Sequence, residues 1–224
     1  MGIEDFVAKS ARPLPVIILA DTSGSMSVDG KIESLNQSLK DMCESFAKEG
    51  RMNAEVQIGL ITFGEYVTQH LPLSPAHQIE GFKPLNAIGR TPMGEAIDMV
   101  ISLLEDKELI PSRAYRPVLI LISDGHPTDD IKGPFERLKS SERAHKATRF
   151  ALAIGSDADE TLLRDFSNDL EAPLFHANDA SDIRNFFKAV TMSVSLQSRS
   201  TKPSEKVKIE YQPGADDDLL DLDF

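Results

Sequence analysis

Apolar positions along the chain follow two patterns: short continuous runs, and longer stretches in which an apolar residue returns every third or fourth place. Residues 16–20 and 118–122 are uninterrupted β-favouring runs, the pattern of strands buried on both faces. Residues 56–63 and 149–154 read as further strands, and 174–176 as a short one. Residues 66–73 follow 56–63 across a short Gly-containing turn, which predicts an antiparallel pair at a sheet edge. Between the runs, Ile32, Leu35, Leu39, Met42, Cys43 and Phe46 recur at helical spacing, with Gly50 as the predicted C-cap. Ala96, Ile97, Val100, Ile101 and Leu104 form a second stripe, residues 134–145 read as a mainly polar helix, and 160–166 and 182–194 complete the series. Strands alternating with helices predict an α/β fold: a three-layer, doubly wound (Rossmann-like), mostly parallel sheet with one antiparallel edge strand.

The same pattern divides the chain. Arg12 and Pro13 read as a lead-in loop, so residues 1–13 form an N-terminal segment and 14–195 one domain. From about Gln197 the periodicity gives way to a polar, proline-containing and finally acidic stretch, which predicts a flexible C-terminal tail over 196–224. A chain of 224 residues with 41% hydrophobic content suffices for one sizeable core. Its 24 Lys+Arg against 36 Asp+Glu leave a net charge of -12, which argues against nucleic acid or anionic membrane as a partner. The single cysteine, Cys43, excludes an intramolecular disulfide and a cysteine-based metal centre, and its place on an apolar helix face marks it as a core residue. The N-terminus lacks the basic-then-apolar layout of a secretory signal, and no apolar run approaches the ~20 residues of a membrane span. A soluble cytoplasmic protein is the expectation.

In an open parallel sheet, ligands bind where loops converge beyond the carboxyl ends of the strands. Three predicted loops carry suitable chemistry there: one holds Asp21, Ser23 and Ser25, the second Thr91, and the third Asp124. Five oxygen-bearing side chains with no histidine or thiol among them point to a hard divalent cation, Mg²⁺ first, with Mn²⁺ or Ca²⁺ as alternatives. Gly24 lets the first loop wrap its three donors round one ion. With two carboxylates among five donors the ion stays under-neutralised, so a carboxylate from a protein partner can complete its shell.

The stretch "DTSGSM" after an apolar strand, a Gly-x-Thr loop and "SDG" after a later strand together resemble the metal-ion-dependent adhesion site of von Willebrand factor A domains, over roughly residues 14–195. The segments "DTSGSMS…KIESLN" and "LISDGHPTD" are similar to the TerY-like proteins associated with bacterial tellurium resistance. The resemblance implies direct metal ligation by Ser23 and Ser25, water-mediated roles for Asp21 and Asp124, and a Thr91 that moves between direct and water-mediated contact. It also implies a non-enzymatic protein-binding module in a stress or defence setting, beside kinase- or phosphatase-type partners. Where many relatives carry Gly-Gly-Thr this chain has Gly89, Arg90 and Thr91, and Arg90 is available to pair with an acidic ligand.

Other readings compete. A serine-rich turn before a helix is often an N-cap, and the aspartate before Gly125 an ordinary turn residue, which would leave a degenerate site. A haloacid-dehalogenase-like phosphatase also places an aspartate after its first strand, but its general acid two positions on is here Ser23, whose hydroxyl has no suitable pKa. No P-loop is present, which argues against a nucleotide. His126 beside Asp124 is a candidate rim residue, whereas His70, His77, His145 and His176 lack metal-ligand spacing and read as surface or sheet-edge positions. The terminal "DDDLLDLDF" is either a solubilising end or a docking segment of acids and leucines.

Overall fold

The structure, a computed structural model, describes residues 11–48, 54–167, 174–200 and 207–209. Six strands form one sheet: β1 (Arg12–Asp21), β2 (Ala54–Phe63), β3 (Val67–Pro75), β4 (Val118–Ser123), β5 (Thr148–Ile154) and β6 (Phe175–Ala177), in the order β3-β2-β1-β4-β5-β6. All neighbours are parallel except β2 and β3, the antiparallel pair at one edge. Five helices cover it: α1 (Lys31–Lys48), α2 (Met93–Glu105), α3 (Lys132–Ser140), α4 (Glu160–Phe166) and α5 (Ala180–Arg199). The expected three-layer α/β architecture is present.

Alternation within β1 builds the layers. Val16, Ile18 and Ala20 face one way into a core shared with α1 and α5, and Ile17 and Leu19 face the other way into a core shared with α2, α3 and α4. Residues buried on both faces explain the unbroken apolar runs. Cys43 lies buried on the α1 face, and burial pushes its thiol up to about 11, as suits an inert core position.

Several boundaries differ from the sequence expectations. Arg12 and Pro13 are not a lead-in loop but the first residues of β1, paired with Ala54 and Glu55. Pro13 and Pro15 are tolerated because β4 joins only from Val16, so this end of β1 has a single neighbour to bond. The helix expected over 134–145 stops at Ser140 and is followed by a 3₁₀ turn over Ala144–Lys146. Glu105, the last residue of α2, causes the break: its carboxylate accepts from the Ser141 hydroxyl and from the Arg143 amide at 2.8 Å, pinning the chain in a turn. Helix α5 continues to Arg199, beyond the expected domain end at 195, and Ser198 is still buried. Val207, expected in the flexible tail, is buried in the α1/α5 core with Ile209 packed beside it. Gly50 and residues 210–224 lie outside the described residues.

Candidate metal site

The strand order places the crevice. Chain connections diverge from β1, whose neighbours are β2 and β4, and the loops after β1 and β4 open onto the gap between them. Asp21 is the last residue of β1, and Asp124 follows Ser123, the last of β4. Both aspartates are buried, at 0% and 2% exposure.

Hydrogen bonds join four of the five sequence-predicted residues. Ser25 Oγ donates to Asp124 Oδ1 at 2.7 Å, which uses its only proton, so Ser23 Oγ donates to Ser25 Oγ at 3.0 Å. Asp21 Oδ1 accepts from the Ser23 amide at 2.8 Å, and its Oδ2 accepts from Ser123 Oγ at 2.6 Å. Thr91 is buried on the approach to α2, but no hydrogen bond among the described residues joins its side chain to the other four. Its backbone ties it to the Asp124 loop: Thr128 Oγ1 accepts from the Thr91 amide at 3.2 Å, and the Thr128 amide donates to the Thr91 carbonyl at 2.9 Å.

The loop before Thr91 is also held from the other side. Gly24 donates to the Gly89 carbonyl at 3.2 Å and Ile88 to the Thr22 carbonyl at 2.7 Å. Gly89 has a φ of 89°, and a Cβ there would lie 2.4 Å from backbone atoms of Glu65. Only glycine fits both the conformation and the close approach. Arg90 beside it is exposed.

Electrostatics complete the picture. Burial, the dominant cause, lifts Asp21 to about 6 against the opposing hydrogen bonds from Ser123 and Ser23, with the charge of Asp124 adding to the rise. Asp124 has a cationic partner that sequence reasoning missed: Lys31 Nζ lies 2.8 Å from Asp124 Oδ2. One ammonium faces two buried carboxylates, so the cluster remains short of positive charge. Ser123, Lys31 and Thr128 were also missed. Ser123 is the first residue of the SDG motif and Lys31 lies five positions beyond DTSGSM, yet only the fold shows that they turn toward Asp21 and Asp124.

The donor set fits a hard divalent ion. Every side chain in it offers oxygen, a lysine ammonium already stands on one carboxylate as a cation, and the two serine hydroxyls lie 3.0 Å apart. Neighbouring ligands on an octahedral ion at ~2.1 Å are separated by about 3.0 Å. Among the described residues no group of three or more His, Cys, Asp or Glu side chains could hold a metal, so a metal held here would have to draw on the hydroxyls. His126 does not join it; its Nδ1 lies 3.2 Å from Asp159 Oδ2 and the side chain is exposed. His70 and His176 sit on the two edge strands, as expected of them. A cleft of about 580 Å³ between α1 and residues 79–84 contains none of the five residues.

A doubly wound sheet with oxygen-bearing side chains gathered at its switch point defines an α/β domain whose crevice lies beyond the carboxyl ends of its strands. A model of the von Willebrand factor type A domain matches residues 16–189, and the chain belongs to that family. It is similar to the human collagen alpha-1(XXI) chain, 25% identical over 168 residues, covering 72% of this chain but only 16% of the collagen chain. Proximal thread matrix protein 1 from the mussel byssus, in a structure with a zinc-occupied MIDAS motif, shares the fold with a TM-score of 0.64 and 20% identity, over 81% of this chain and 48% of that one. The manganese-loaded TRAP protein of Plasmodium vivax does so with a TM-score of 0.54 and 19% identity, over 78% and 71%. None of the described helices is long and apolar enough to cross a membrane.

Proposed function

We propose that Asp21, Ser23, Ser25, Thr91 and Asp124 hold one divalent cation, Mg²⁺ first, and that the domain is a non-enzymatic module binding proteins through it. The observation that carries this is the 3.0 Å spacing of the Ser23 and Ser25 hydroxyls beside two buried, under-compensated carboxylates. The zinc and manganese named for two structural neighbours support a metal in this fold without fixing which one. When bound, the ion supplies Lewis acidity toward a carboxylate from outside.

The chain's own residues set up that encounter. Ser23 and Ser25 offer neutral oxygens that leave the ion's charge uncancelled, while Asp21 and Asp124, each tied by hydrogen bonds, fix the two loops that carry the donors. Apolar side chains stand exposed on the adjoining loops: Ile88 at 55% and Tyr66 at 73%. Gly64 and Gly89 bring these two loops into backbone contact beside Thr22, so both side chains stand on loops that adjoin the site. An Asp or Glu flanked by apolar residues is the partner chemistry this surface suits. Arg90 on the same loop adds a charge favourable to an acidic ligand.

The setting is read from the resemblance to TerY-like proteins: a bacterial stress-response or tellurium-resistance-type system in the cytoplasm, with kinase- or phosphatase-type partners. A lone buried cysteine and the acidic net charge are consistent with it. The test is a pull-down from the native cell in Mg²⁺ and in chelator, with wild type and Asp21→Ala. Partners lost under both perturbations are expected; an identical set of partners in all conditions contradicts the reading.

A further inference from the structure

Among the described residues, Lys31 is the charged group, other than the candidate ligands, that bonds to the site. Its position is specified by the backbone before it. Asp29 and Gly30 both take left-handed conformations, with φ of 56° and 71°, and this double reversal starts α1 at Lys31. A non-glycine residue in that region is uncommon and costs some strain, so the turn is held by its surroundings. The lysine side chain then runs past Gly155 at the end of β5, where an added Cβ would lie 3.6 Å from Nζ, and ends on Asp124 Oδ2 at 2.8 Å. Asp124's side chain is fully buried and that of Lys31 is 21% exposed, so the pair is sheltered from screening by solvent.

Asp124 therefore divides its carboxylate. Oδ1 accepts from Ser25, on the side of the candidate ligands, and Oδ2 accepts from Lys31. We propose that Lys31 is a built-in counter-cation that competes with the divalent ion for Asp124 and so determines how tightly the site holds metal. This rests on the metal-site reading above.

In the metal-free protein two buried carboxylates stand together, and the ammonium stabilises their loops by neutralising one of them. With a divalent ion present, the same ammonium repels it across a few ångströms of weakly screened protein. Lys31 thus makes the metal-free state stable and the loaded state weakly occupied and net positive. Loading then favours conditions in which an anionic partner is also present. A lysine here converts a site that would bind metal constitutively into one whose metal and partner occupancy are linked.

The test is calorimetric titration of Mn²⁺ alone into chelator-stripped full chain, comparing wild type, Lys31→Met and Lys31→Arg at one pH, with thermal unfolding of each in chelator. Lys31→Met should bind Mn²⁺ at least about tenfold more tightly and unfold at lower temperature in chelator, whereas Lys31→Arg should resemble wild type. If wild type binds Mn²⁺ and Lys31→Met binds it no more tightly, the lysine proposal falls and the metal site stands. If neither binds, both fall. Binding by Lys31→Met alone supports the competition and removes metal from the wild-type reading. Should Lys31→Met not fold in chelator, recovery of the fold by millimolar Mn²⁺ supports the exchange of one cation for another, and failure with Mn²⁺ overturns it.

Discussion

Asp21 is held in a position that suits neither of its protonation states fully. Burial favours the neutral acid and raises it to about 6, yet its oxygens accept from the Ser23 amide and the Ser123 hydroxyl, which favour the carboxylate. Because its folded pKa lies above the usual carboxylate value, the folded, metal-free protein takes up a proton that the unfolded chain releases. Its contribution to stability is therefore greatest below that usual value and is lost as pH rises through about 6. In chelator, urea denaturation should show wild type gaining on Asp21→Asn as pH falls from 7.5 to 5; a difference that stays constant contradicts the burial account. A metal held as proposed requires the carboxylate, so acidification below about 6 should also weaken its binding. Asp21, Ser23, Ser25 and Asp124 were legible in the sequence because a strand end and a tight loop fix them locally. Lys31, 93 positions from its partner, and Ser123, 102 from its own, were not, since those contacts exist only once β1 and β4 lie side by side.

Among the elements, α2 shows how the Thr91 loop is kept in place. Pro92, at the helix N-cap, has no side chain able to cap it, and the free amides are served from another loop: Asp129 accepts from Gly94 at 3.1 Å and from Glu95 at 2.9 Å. A carboxylate there also complements the positive end of the helix. Together with the Thr91–Thr128 bonds, this ties the α2 loop to the β4 loop, two of the three loops that carry the candidate ligands. Asp129→Ala should cost about 1 kcal/mol of stability and speed hydrogen exchange at the Gly94 and Glu95 amides. Unchanged exchange would show that the clamp lies elsewhere. The helices themselves were legible from their apolar stripes, but their ends were decided by such distant caps. Glu105 of α2 ends the α3 region in the same way, by binding Ser141 and Arg143. No local pattern in residues 134–145 announces that carboxylate.

At the scale of the whole molecule, two cores hold one sheet, and the candidate metal site lies at the carboxyl ends of the parallel strands β1 and β4, where the strand order reverses. The fold class was legible because continuous apolar strands between amphipathic helices admit few other layer arrangements. The domain's limits were harder to read: Arg12 and Pro13 looked like a loop, and Val207 looked like part of a tail, although each is held by tertiary pairing or packing. An overall charge of -12 makes the surface generally unattractive to acidic partners. An ion held as proposed, with hydroxyls making up most of its side-chain donors, would be a local reversal of sign and would give an acidic ligand a favourable place to bind. The most direct test is crystallography of the full chain grown with Mn²⁺, using anomalous diffraction to find the ion. The account predicts one strong peak within ligand distance of the Ser23 and Ser25 hydroxyls, flanked by Asp21 and Asp124. An ordered site with no peak, at saturating Mn²⁺, would contradict it.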